Sequence, residues 1–64
     1  MDQYLIDALK SKYQAAMAEA YANIQVYLHN PAGIGEHSDI VAAINTQVEF
    51  YAAAKEKLEV LDEL

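Results

Sequence analysis

Two long stretches of the chain carry apolar residues at helical spacing. In the first stretch the stripe consists of Ile6, Leu9, Tyr13, Met17, Ala20, Ile24 and Leu28. In the second stretch it consists of Ile40, Ile44, Val48, Tyr51, Ala54, Leu58 and Leu61. Steps of three and four residues place side chains on one face of an α-helix. The pattern therefore predicts two amphipathic helices whose apolar stripes face each other.

The segment between the two stripes holds the chain's only proline and both of its glycines. Pro31 has no N–H to donate and disfavours helical geometry at Asn30, the residue before it. Gly33 and Gly35 can adopt positive φ angles without steric cost. These residues predict a loop that separates the helices.

The expected fold is a single all-α domain over residues 1–64. We predict a helix at about 2–29, a loop at about 30–37 and a helix at about 38–62. A loop of this length lets the second helix return beside the first, which makes an antiparallel two-helix hairpin.

Residues at the end of the loop suggest how the second helix begins. Ser38 is a suitable N-cap because its hydroxyl can accept a hydrogen bond from the N–H of Val41. Asp39 would then lie in the first turn, where the helix dipole favours a negative charge. We therefore predict the cap at Ser38.

A second row on the first helix lies opposite the apolar stripe and is small in its middle. It consists of Tyr4, Ala8, Ser11, Ala15, Ala18, Ala22 and Val26. No charged residue interrupts the row, and alanines let two helices approach closely. We therefore predict an oligomer interface made by Tyr4, Ala8, Ala15, Ala18, Ala22 and Val26. The alternative is that these alanines only favour helix formation on a solvated face.

Chain length limits how stable a lone hairpin can be. Domains of about 60 residues bury a small share of their surface and commonly need disulfides, a metal or oligomerisation. The sequence has no cysteine, so disulfides and thiolate metal sites are excluded. We predict that the hairpin assembles with itself, as a homodimer or higher oligomer, into a four-helix bundle or a larger assembly.

The charge balance excludes two classes of partner. Four lysines stand against ten acidic residues, with no arginine, for a formal net charge of −6. Nucleic-acid binders and proteins that bind anionic membranes carry clustered basic residues, which this chain lacks. Its apolar runs are too short for a membrane span, and residues 1–6 lack the features of a signal peptide. Binding to nucleic acid or membrane is therefore not expected.

No motif in the sequence points to catalysis or to a cofactor. His29, Glu36, His37 and Asp39 are possible metal ligands, but their spacing resembles no standard site. The serines have no nearby base, and no thiol nucleophile exists. We therefore predict no catalytic, cofactor or metal site and expect the protein not to be an enzyme.

Five tyrosines are many for a chain of this length. Tyr13 and Tyr51 fall on the apolar stripes, whereas Tyr21 and Tyr27 flank them. Either these rings only pack within the bundle, or they form an aromatic edge that binds a partner. The sequence leaves both interpretations open.

A stretch at residues 27–40 and a second at residues 56–61 are distinctive. The specific part is the run Asn-Pro-Ala-Gly-Ile-Gly-Glu-His at 30–37. With Glu-Lys-Leu-Glu-Val-Leu at 56–61, it resembles short helical proteins encoded by marine tailed phages of the cyanophage type. In such proteins a proline often stands at the position of Ser38, which leaves His37 as an alternative cap. The resemblance implies a viral or marine-microbial origin and no established activity.

The functional expectation is a small acidic structural or protein-interaction module. It would act through homo-oligomerisation and protein binding, with another phage or host protein as a further partner. The alternative is an accessory regulator that binds a host protein as an acidic mimic of nucleic acid. The expected location is the cytoplasm, that of the host cell if the protein is viral, or the virion.

Overall fold

The computed structural model of the protein describes residues 2–29 and 39–64. Helix α1 spans Gln3–His29 and helix α2 spans Ile40–Asp62, and neither described segment contains a strand. The predicted all-helical fold with two mutually packed helices is therefore confirmed. The predicted loop and cap positions Asn30, Pro31, Gly33, Gly35 and Ser38 lie outside the described residues.

Contacts between the helices establish that they run antiparallel. The Nζ atom of Lys57 lies 5.3 Å from the centroid of the Tyr13 ring. Further along α1, the Asn23 side-chain amide donates a 3.1 Å hydrogen bond to Oε1 of Gln47. Residue numbers thus rise along α1 as they fall along the facing part of α2, which makes the molecule a helical hairpin.

An aspartate caps α2 one residue later than the sequence analysis predicted. Oδ1 of Asp39 accepts a 2.9 Å hydrogen bond from the backbone N–H of Ala42, and the helix begins at Ile40. The predicted cap at Ser38 is therefore wrong. A carboxylate accepts this bond as well as a hydroxyl does, and its negative charge is also favoured at a helix N-terminus.

Helix α1 begins behind an aspartate as well, which the sequence analysis missed. Oδ1 of Asp2 accepts a 2.8 Å hydrogen bond from the N–H of Tyr4, and its backbone oxygen accepts one from Ile6 at 3.3 Å. Both described helices therefore start with the same arrangement, in which an Asp side chain satisfies an N–H that has no partner within the helix.

The buried core is thin. Among the described residues only Ala20, Ala54 and Leu61 are buried, and all three lie on the predicted stripes. Most other stripe positions are half-buried, but Leu9, Leu28 and Val48 are exposed. They lie beside the contact line or near a helix end, where a single neighbouring helix covers only a narrow strip.

The shape of the hairpin reflects its thin core. Its dimensions are 48 × 15 × 14 Å, and its accessible surface is 4910 Å². A compact monomer of 7.1 kDa would expose about 4,100 Å². Many large apolar side chains of the described residues contribute to the excess: Tyr4, Leu5, Leu9, Tyr21, Val26, Leu28, Val41, Val48, Phe50, Val60 and Leu64.

Candidate protein-interaction surface

A groove of about 360 Å³ runs along one side of the hairpin between the two helices. Four alanines line it, Ala16 and Ala20 from α1 and Ala53 and Ala54 from α2. Ala20 and Ala54 occupy the centre of the contact between the helices, being 1% and 4% exposed. Because alanine side chains end at Cβ, the space beside them stays open. We call this surface the groove side.

Larger side chains form the rims of the groove. Lys12 and Glu19 border it from α1, and Phe50 and Lys57 border it from α2. Phe50 is the only phenylalanine of the chain, and its large apolar side chain is 57% exposed. Lys57 places its ammonium group over the Tyr13 ring, an arrangement in which the ring face attracts the cation.

The groove side differs in charge from the rest of the molecule. Two of the four lysines, Lys12 and Lys57, line the groove together with a single acidic residue, Glu19. The local formal charge is therefore slightly positive, whereas the chain as a whole carries −6. The lining of the groove therefore lacks the excess of negative charge that the chain as a whole carries.

One end of the groove is closed by the amide pair of Asn23 and Gln47. Both residues line the groove and are half-buried, and their side chains are joined by the 3.1 Å hydrogen bond between the helices. A buried amide without a partner is costly, so the pair favours the observed register of α1 against α2.

The opposite side of the hairpin has a different character. There the rings of Tyr21 and Tyr51 meet with centroids 6.5 Å apart and planes tilted by 44°. Tyr51 is half-buried and Tyr21 is 56% exposed. This geometry suits the preferred offset or tilted packing of aromatic pairs. Two of the predicted tyrosines therefore pack against each other across the helices.

The predicted alanine row lies on the side of α1 that faces away from α2. All of its members are exposed: Tyr4, Ala8, Ser11, Ala15, Ala18, Ala22 and Val26. No residue of the row lines the groove. The row is thus accessible, and its role as an oligomer interface stays a prediction.

Only two of the possible metal ligands, His29 and Asp39, lie within the described segments. Nε2 of His29 lies 3.0 Å from Oε1 of Gln25, within hydrogen-bond distance, and Asp39 caps α2. Glu36 and His37 lie outside the described residues. Within residues 2–29 and 39–64, no three His, Cys, Asp or Glu side chains are grouped so that they could hold a metal ion.

Neither of the two described helices combines the length and the apolar character that crossing a membrane requires. Comparisons with protein-family models, curated proteins and solved structures found no match to the chain. The resemblance of residues 27–40 to phage proteins therefore stays a prediction.

Three residues that give the groove side its character were not predicted from the sequence: Phe50, Lys12 and Glu19. None of them lies on a predicted stripe or row. A signal was nevertheless present: the only phenylalanine lies off the apolar stripe of its helix. A large apolar residue in such a position is not covered by the facing helix and is available for a contact beyond the helix pair.

Proposed function

We propose that this chain is a small protein-interaction module that acts by assembling with itself. The observation that carries the proposal is the imbalance between a buried core of three residues and the large apolar side chains exposed along both described helices. Covering these side chains with a partner would remove apolar surface from water, which favours association.

Energetics support the same proposal. Two of the three residues that are buried in the described segments are alanines, whose side chains remove little apolar surface from water. Ordering the backbone and side chains opposes folding by roughly 1.5 kcal/mol per residue. Pairing with a second hairpin would bury further apolar surface with no additional chain connection, as in four-helix bundles.

The alternative proposal, a regulator that imitates nucleic acid, requires an acidic surface that competes for a basic site. The formal charge of −6 permits it. Its binding would weaken steeply with salt, because charge dominates recognition of that kind. Self-association through apolar contacts would persist at high salt.

Sedimentation equilibrium of the full chain at low and high salt tests the proposal. The expected result is a mass of at least twice 7.1 kDa that persists when salt is raised. A mass of 7.1 kDa at every protein concentration would refute self-assembly. Salt-sensitive binding of that monomer to a nucleic-acid-binding protein would favour the alternative.

A further inference from the structure

We infer that the groove side of the hairpin binds the groove side of a second copy, with the two α1 helices antiparallel and Lys12 of each copy paired with Glu19 of the other. The inference rests on the proposed function and names the surface and the geometry through which self-assembly occurs.

The residues that line the groove run from Lys12 to Asn23 on α1, about 17 Å along that helix, so the groove forms the centre of such a contact. A contact that extended beyond it over a whole long side of the hairpin, 48 by 15 Å, would cover roughly 700 Å², close to the ~800 Å² per partner that specific interfaces bury. The alanines lining the groove have no side chains beyond Cβ, so a second hairpin can approach closely. The Phe50 side chain is 57% exposed in the single hairpin, and this contact would remove it from water.

For a second copy as the partner, charge favours the groove side as the place of contact. Two molecules that each carry −6 repel each other over most of their surfaces. The repulsion is least where the surface is neutral or positive, and the groove side with Lys12, Lys57 and Glu19 meets that condition. Two copies can therefore meet there without bringing their acidic surfaces together.

The spacing of Lys12 and Glu19 fits two-fold symmetry. The residues lie on one rim of α1, seven positions or about 10 Å apart along the helix. In a two-fold contact, residue i of one copy meets residue j of the other, and j meets i. If the α1 helices cross next to Ala16, which lines the groove, both Lys12–Glu19 pairs form in the same complex.

The alanine row is the competing surface for self-assembly. Its central residues end at Cβ, so each adds less apolar area to a contact than Phe50 does. It also offers no charged residues that could be paired by symmetry. The groove side has both a large apolar side chain, Phe50, and a pair of opposite charges, Lys12 and Glu19. We therefore assign the contact to the groove side.

Phe50→Glu tests the apolar part of the contact. Phe50 is exposed in the single hairpin, so the substitution should preserve helix content by circular dichroism while weakening dimerisation roughly tenfold or more. The matched control is Val48→Glu, because Val48 is also exposed on α2 but does not line the groove. The control should change the dimer dissociation constant by less than about threefold.

Charge reversal tests the geometry. Lys12→Glu or Glu19→Lys alone should weaken dimerisation about three- to tenfold, since each places like charges together twice in the complex. The double variant K12E/E19K should recover most of this loss because both pairs are restored in reversed order. Lys55→Glu, an equal charge change outside the groove, is the control for net charge.

The outcomes separate the two proposals. A protein that is monomeric at every concentration refutes the proposed function itself. If the protein is oligomeric but Phe50→Glu behaves like Val48→Glu and K12E/E19K gives no recovery, only the assignment of the groove side is overturned. Loss of the oligomer in Ala18→Glu, with Phe50→Glu unaffected, would assign the contact to the alanine row instead.

Discussion

At the scale of single residues, the described segments hold one large buried side chain. Leu61 is 8% exposed near the end of α2, and the other two buried residues of these segments are Ala20 and Ala54. An alanine has little to lose on truncation, whereas a buried leucine contributes both transfer free energy and packing. Among the buried residues of the described segments, truncation of Leu61 should therefore lower the free energy of unfolding most.

We predict that Leu61→Ala lowers the free energy of unfolding by about 2–3 kcal/mol, because it removes buried methyl groups and leaves a cavity. Urea unfolding at one fixed protein concentration measures the change. Leu28→Ala is the matched control, since Leu28 is 56% exposed, and it should cost about 1 kcal/mol or less. Equal losses in both variants would contradict the burial assigned to Leu61.

The cap of α2 gives a second prediction for a single residue. Asp39→Ala removes the oxygen that accepts from the N–H of Ala42, and should cost about 1 kcal/mol, or roughly 4–8 °C in melting temperature. Asp39→Asn keeps an accepting oxygen and should retain most of the stability. Equal melting temperatures for Asp39→Ala and Asp39→Asn would show that the side chain at this position does not cap α2.

At the scale of the elements, one polar contact favours the observed register of the two helices. The amide pair of Asn23 and Gln47 is half-buried, so sliding one helix along the other would leave both groups without this partner. The groove beside this pair is lined by four alanines, whose small side chains would tolerate a shift more easily.

A double-mutant cycle on Asn23 and Gln47 tests this contact. With each residue changed to Ala, we expect a coupling free energy of about 0.5–1.5 kcal/mol. The control is Asn45 and Glu49, which bond at 3.2 Å within α2 on an exposed surface and should couple by about 0.5 kcal/mol or less. A coupling free energy near zero for Asn23 and Gln47 would show that their hydrogen bond does not favour the observed register.

Both helices and their facing stripes could be predicted from apolar spacing, because that spacing is a local property of each helix. The capping residue could not be predicted as readily, since Ser38 and Asp39 are adjacent and either can accept the bond. Exposure of Leu9, Leu28 and Val48 also escaped prediction, because it depends on how wide a strip one neighbouring helix covers.

The groove could not be predicted from either helix alone. The four alanines that line the groove come from both helices and are brought together by the observed register, which includes the Asn23–Gln47 pair. The structure shows that one groove is bordered by Phe50, Lys12 and Glu19. Nothing in the sequence of either helix alone indicates that these residues belong to one surface.

At the scale of the whole molecule, the hairpin is long and thin, and most of its described residues are exposed. A radius of gyration of 14.7 Å exceeds the roughly 11 Å of a compact 64-residue domain. A second hairpin against the groove side would thicken the molecule and enclose Phe50. Folding and association are then expected to be coupled.

The concentration dependence of thermal unfolding tests this central claim most directly. If the folded hairpin is stabilised by a second copy, mass action raises the melting temperature as protein concentration increases. We expect a steady rise, followed by circular dichroism at 222 nm, across roughly two orders of magnitude in concentration. A melting temperature that stays constant over this range, with a mass of 7.1 kDa throughout, would contradict the account.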